Sequence, residues 1–270
     1  MKKEKSFIES KGFAVACLIF GLLGILIMLH HMGSYSKILN PADKPWIMQY
    51  LMENQILTND RSGSTFLRMF TNLSNIFVDL YLILFAIGIF GQKEVYHFTH
   101  NESLRGSITL NILITGIIYC CVLLPFGGGK FPAEIPDPAG VMQSTGAMWF
   151  TNIVNFWNHI ITPIVFTAFW FKPVEYKTLN KVRYSLVNLI YPICYFVVSI
   201  VLGNDDGFYP YPFLSTTQFY GMLFKNKPYD STIGVLLIVA VVIVLSAIFF
   251  GVSIALEAIH NKAVAGKENK

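Results

Sequence analysis

The chain has 270 residues, 54% of them hydrophobic and only 13% charged, with a mean hydropathy of +0.53 and a formal net charge of +4. Soluble domains carry about 25% charged residues, so a chain this apolar lacks the polar surface to cover itself in water. That excludes an ordinary soluble enzyme, and the small positive charge, accounted for below by topology, gives no reason to expect nucleic acid as a partner.

Six continuously apolar runs reach the roughly 20 residues that a helix needs to cross a bilayer. Their uninterrupted character predicts helices rather than the alternating strands of a barrel. The expected fold is all-α: one domain, residues 1–270, built as a bundle of six transmembrane helices. The first spans 12–30; Lys2, Lys3 and Lys5 precede it, and no small-x-small cleavage site follows, so it reads as an uncleaved helix. A long loop, 31–65, contains KPWIMQYLMENQIL, expected as a short amphipathic helix on the outer surface. The second helix, 66–91, carries FTNLSNIFVD, in which Arg68, Thr71 or Asn72, Asn75 and Asp79 recur at three- and four-residue steps and share one face.

The third helix spans 107–126 and is followed by GGGKFPAEIPDPAG, too rich in Pro and Gly for regular structure. The fourth, 148–171, repeats the polar stripe with Asn152, Asn155, His159 and Thr162, and Pro163 comes next. The fifth, 184–202, has a weaker stripe of Asn188, Tyr191, Tyr195 and Ser199, interrupted by Pro192. GNDDGFYPYPFL then supplies aromatic and proline residues of the kind found at a membrane interface, before the sixth helix at 233–256. Lys and Arg concentrate in the short loops and tails on one side, Lys93, Arg105, Lys172, Lys181 and Arg183 among them, so both termini are expected in the cytoplasm. Cys17, Cys120, Cys121 and Cys194 fall within apolar runs and read as small buried hydrophobes.

Three helices with one polar face each are expected to converge on a shared interior. An Asp at the bilayer centre costs about 2.5–3.5 kcal/mol on insertion scales, so Asp79 and His159 should face one another or a wet cavity. Both lie about a dozen residues from the outer ends of their helices, which at ~1.5 Å per residue puts them at similar depth as an acid–imidazole pair. The same count leaves Thr71 about three turns above His159. Arg68 either snorkels to the outer head groups or binds a lipid carboxylate. No Cys/His cluster, HExxH motif or phosphate-binding glycine loop is present, so neither metal, nucleotide nor other cofactor is expected.

FTNLSN, NHIITP, YPICY and YPYPFL occur in this order over roughly residues 60–225. The set resembles bacterial six-helix membrane proteins related to the androgen-induced, fatty-acid-ester hydrolase family of eukaryotes. The resemblance implies an intramembrane Thr nucleophile and a His partner that cleave fatty-acid esters of hydroxy fatty acids. Carried over by position, these are Thr71 in FTNLSN and His159 in NHIITP. The stretch FTAFWFK departs from the bacterial pattern, with Phe169 where an acidic residue often precedes the tryptophan. The chemistry is sound: an imidazole activates a hydroxyl, an acid such as Asp79 could fix its tautomer, and the amides of Asn72, Asn75 or Asn155 could donate to an oxyanion. Tyr191, Tyr195 and Arg68 complete the expected pocket.

Two functional classes follow. One is a hydrolase of lipid (fatty-acyl) esters in the bacterial plasma membrane. The other is a non-enzymatic transporter or lipid- or small-molecule-binding protein whose Asp79 and His159 form a polar midplane site.

Overall fold

The computed structural model describes residues 7–38, 66–123, 153–174, 178–207, 209–224 and 227–268. Among them every element is helical and no strand occurs. Six stretches are long and apolar enough to cross a membrane: Lys11–His30, Phe70–Ile89, Glu102–Cys121, Ile153–Trp170, Lys181–Asp205 and Ser231–Gly266. This is what a multi-pass membrane protein requires. Leu22 and Leu26, Val197 and Val201, and Leu236 and Ile243 stand exposed along these helices, apolar surface that hydrocarbon would cover.

The helices are α1 (Lys11–Ile38), α2 (Phe70–Ile89), the short α3 (Lys93–Thr99), α4 (Glu102–Ile118), α5 (Thr162–Trp170), α6 (Lys181–Asn188), α7 (Ile190–Asp206), α8 (Thr216–Leu223) and α9 (Ser231–Glu268). Two π-helical turns interrupt the α pattern, Tyr119–Leu123 after α4 and Trp157–Ile161 before α5. Several boundaries differ from the sequence reading for physical reasons. α4 starts at Glu102 rather than 107, because the Asn101 side chain accepts from the N–H groups of Ser103 (2.9 Å) and Leu104 (3.2 Å) as an N-cap. The fifth span breaks at Leu189, since Pro192 has no N–H for the Asn188 carbonyl one turn back. The sixth continues past 256 to Glu268, and Glu257 and His260 in that extension pack inside the protein instead of ending the helix. The KPWIMQYLMENQIL and GGGKFPAEIPDPAG stretches and Asn152 lie outside the described residues.

The described residues group into two compact units, one within Met1–His31, Thr71–Asn188 and Ser253–Lys270, the other within Met32–Phe70 and Leu189–Val252. In the first, Ala14, Cys17, Val78, Tyr81, Phe85, Ile112, Phe166 and Phe169 form an apolar core. Its rings meet edge to face, with Tyr81–Phe166 centroids 5.4 Å and Phe85–Phe169 centroids 5.2 Å apart. Cys17 is buried as expected, but Cys120, Cys121 and Cys194 are exposed, and all four are free thiols.

The same unit holds a buried ionic network. Arg105 donates to Glu102 Oε2 through Nε (2.9 Å) and pairs with it through Nη2 (2.8 Å), both side chains being out of solvent. It also donates to the carbonyls of Lys172 (2.8 Å), Phe169 (3.4 Å) and Trp170 (3.4 Å). Those carbonyls lie at the end of α5 and just after it, where no further helical turn follows; that of Phe169 also accepts from the Lys172 N–H (3.1 Å). Arg105, counted in the sequence reading as a loop charge that sets topology, thus caps a neighbouring helix from the interior. Glu102 Oε1 accepts from the Val174 N–H (2.9 Å) and lies 3.8 Å from His260 Nδ1 on α9. Asn188 donates to Ser253 Oγ and Glu257 Oε1, each at 3.1 Å, and the Trp170 indole donates to the Leu256 carbonyl (3.1 Å).

His100, just before α4, is stacked between Tyr96 (3.6 Å) and Phe85 (5.1 Å), with Nδ1 donating to the Tyr96 carbonyl at 2.8 Å. Burial holds its pKa below the ordinary 6.5, against the opposing pull of that carbonyl and of Glu9 and Glu102. The folded imidazole therefore takes up a proton less readily than the unfolded one. Stability rises with pH across the interval between the folded value and 6.5, and is lost as pH falls through it. Thermal melts of detergent-solubilised protein should drop in midpoint as pH is lowered below 6.5, and His100→Gln should flatten that part of the profile. An unchanged slope in the variant would assign the pH dependence to another group.

Candidate functional site

The polar residues of FTNLSNIFVD are held inside the protein rather than against lipid: Asn72, Ser74, Asn75 and Asp79 are all buried, and Thr71 is half-buried. Hydrogen bonds organise the first turn of α2. Ser74 Oγ donates to the Thr71 carbonyl (3.0 Å) and bonds the Thr115 hydroxyl of α4 (2.8 Å). With Ser74 donating to Thr71, the single Thr115 proton makes the bond between the two hydroxyls, and the Asn111 carbonyl one turn back (3.2 Å) is its alternative acceptor. Asn75 Nδ2 donates twice, to the Thr71 carbonyl at 2.8 Å and to the Asn158 carbonyl at 3.1 Å.

The second of these bonds explains the shape of the facing segment. At the π turn the Thr162 N–H reaches back five residues to the Trp157 carbonyl. Continued by one residue, this register would pair the next amide with the Asn158 carbonyl, but the next residue is Pro163, which has none. The orphaned carbonyl is met by the Asn75 amide instead. The widened turn also shifts the helix face. Of the stripe expected from sequence, Thr162 is buried and Asn155 and His159 are half-buried; Asn158, which that stripe did not include, is buried too, its amide donating to Met28 Sδ of α1 at 3.5 Å and its carbonyl accepting from Asn75 of α2. Single π turns of this kind occur frequently at functional sites.

His159 lies on the π turn. Its Nδ1 is 3.0 Å from the Asn155 carbonyl, and the ring stacks on Tyr119 at 4.0 Å. A carbonyl can only accept, so Nδ1 carries the proton and Nε2 presents a lone pair when the ring is neutral. The tautomer-fixing role expected of Asp79 thus falls to the Asn155 backbone, and the expected acid–imidazole pair does not form through Nδ1. The Thr71 and Asn158 carbonyls share one amide nitrogen, so they are separated by less than the sum of two hydrogen-bond lengths. The turn bearing Thr71 is therefore level with the turn bearing His159, not three turns above it. The straight-helix depth count failed because it took α2 to begin at 66 and the fourth helix to be α-helical throughout.

Asp79, one turn along α2 from Asn75, rests against α1. A Cβ placed at Gly24 would fall on its carboxyl group, and one at Gly21 would fall 2.6 Å from its backbone carbonyl. Among the described residues neither carboxyl oxygen has a hydrogen-bond partner, nor do Asn75 Oδ1 and Asn158 Oδ1. Gly21, Gly24, Met28 and Asn158 are site residues that the sequence reading did not name.

Arg68, Tyr191 and Tyr195 belong to the second unit. Tyr195 donates to the Arg68 carbonyl (2.7 Å) and accepts from the Phe70 N–H (3.1 Å), which clamps the irregular turn before α2. The Phe70 ring lies 5.0 Å from Tyr195 and 5.5 Å from Tyr191. In this arrangement Tyr195 is a structural clamp on the segment leading into FTNLSN.

Comparison of the chain with protein-family models, with curated proteins and with solved structures finds no match.

Proposed function

We propose that this protein is a membrane-embedded hydrolase of lipid esters in a bacterial plasma membrane, with both termini in the cytoplasm, Thr71 as nucleophile and His159 as base. The reading is supported above all by the double hydrogen bond of Asn75, which ties the Thr71 turn to the π turn that carries His159. The fixed tautomer of His159 supports it further, since an Nε2 lone pair is what a general base needs.

In this mechanism Thr71 Oγ attacks the ester carbonyl while His159 Nε2 takes its proton. The tetrahedral intermediate then collapses, the C–O bond to the alcohol breaks, and the imidazolium returns the proton to the leaving oxygen. Water, deprotonated by the same Nε2, releases the fatty acid and restores Thr71. Both N–H groups of Asn75 are already spent, so oxyanion stabilisation falls to the side chains of Asn72 or Asn155.

Hydrolysis of a long-chain 4-nitrophenyl ester in mixed micelles tests this reading. Thr71→Ala and His159→Ala should each lower turnover by about 10²–10⁴-fold, the range for lost acid–base or nucleophilic assistance. Turnover retained by Thr71→Ala would remove it as nucleophile. A second reading, a non-enzymatic transporter or binding protein, is favoured by the Asp79 carboxyl, whose oxygens have no hydrogen-bond partner among the described residues. Folded wild-type protein without esterase activity would support it.

A further inference from the structure

Around the interface of α1, α2 and the π turn are buried side-chain oxygens that have no hydrogen-bond partner among the described residues. Asp79 is 1% exposed and both its carboxyl oxygens lack a partner. Asn75 and Asn158, 1% and 2% exposed, each direct the amide nitrogen to a fixed acceptor, Asn75 to two carbonyls and Asn158 to Met28 Sδ. The two carbonyl acceptors settle which end of the Asn75 amide is nitrogen, Met28 Sδ is the acceptor that orients Asn158, and neither Oδ1 has a partner among the described residues. Asp79 and Asn75 are one turn apart on the same face of α2. On α1, Gly24 lies against the Asp79 carboxyl, and Met28, one turn further on, accepts from the Asn158 amide. Glycine at position 24 is what lets the carboxyl group lie against the α1 backbone.

An unpaired carboxylate is costly to bury, as is each unserved carbonyl oxygen. A proton on Asp79 would neutralise the charge and supply a single O–H donor, leaving most of these acceptors as they were. A hard cation is ligated by several oxygens at once and satisfies the set together. One carboxylate balances one positive charge, and no second acid is among these residues, so a monovalent ion fits better than a divalent one. We propose that Asp79, with the side-chain oxygens of Asn75 and Asn158, binds a monovalent alkali cation, for which sodium is the probe. Intramembrane carboxylates commonly mark ion sites. This site is independent of whether Thr71 and His159 hydrolyse esters. Its consequence for the neighbouring pocket is direct, because the ion would hold Asn75, and Asn75 holds the Thr71 and Asn158 carbonyls together.

The test is binding of radioactive sodium to purified full-length protein in detergent, in choline chloride, alongside thermal melts in sodium and in choline. Saturable sodium binding and a higher melting midpoint in sodium are expected of the wild type. Both should vanish in Asp79→Asn, which keeps the shape of the side chain and removes the charge, and binding should weaken several-fold in Asn158→Ala. Absence of saturable binding to folded wild type would overturn the proposal. So would equal sodium binding by folded wild type and Asp79→Asn, which would put the ion elsewhere, or a midpoint that follows pH while ignoring sodium.

Discussion

Replacing Arg105 with Met should lower the unfolding free energy by about 3–5 kcal/mol, the range for breaking a buried ion pair by removing one partner. The change leaves the buried Glu102 carboxylate without its cation. It also strips the carbonyls of Phe169, Trp170 and Lys172 of the donor that caps the end of α5. The two losses differ in kind, and the double variant separates them. Glu102→Gln combined with Arg105→Met removes the orphaned charge but not the missing cap, so it should recover part of the loss. Titration of detergent-solubilised protein with a denaturing detergent, followed by circular dichroism, gives these values. A double variant no more stable than Arg105→Met alone would mean that capping, not charge, is what Arg105 contributes.

Gly21→Val should be the most damaging small substitution on α1. Its first added atom would lie 2.6 Å from the Asp79 carbonyl and 2.8 Å from Ile83 Cγ1. The first of these belongs to the α2 backbone, which cannot rotate out of the way as a side chain can, so α1 and α2 must separate next to Asp79. Overpacking of a tight interface typically costs about 1–3 kcal/mol, and the displaced backbone here puts the change at the upper end. Gly12→Ala is the matched control, since nothing lies within 4 Å of its added atom. It should be neutral or slightly stabilising through helix propensity. Comparable losses in both would show that something other than close approach to α2 sets the effect.

Much of the helical plan can be read from hydropathy, because six long apolar runs leave little choice of structure. The polar face of α2 was legible too: Asn72, Asn75 and Asp79 recur with helical spacing and all prove buried. The register of the fourth span was not. Periodicity reasoning assumes 3.6 residues per turn, and the π turn at Trp157–Ile161 adds a residue, which brings Asn158, absent from the expected stripe, to face α2 through its backbone carbonyl. Pro163 was a signal, since a missing amide leaves a carbonyl five residues back for another donor. Gly21 and Gly24 were hidden for another reason. Inside a continuously apolar run small residues give no contrast, although two glycines three residues apart share one helix face. Arg105 was misread because a hydropathy window ends where the charges begin. The Asn101 cap three residues before Leu104 was the available sign that α4 had already started.

The pairing of Thr71 with His159 is tested most directly by exposing purified, folded protein to a fluorophosphonate and measuring its intact mass. One adduct on the wild type, absent from both Thr71→Ala and His159→Ala variants of unchanged melting behaviour, is the expected result. An adduct that persists on Thr71→Ala would contradict the assignment and place the reactive hydroxyl on another residue.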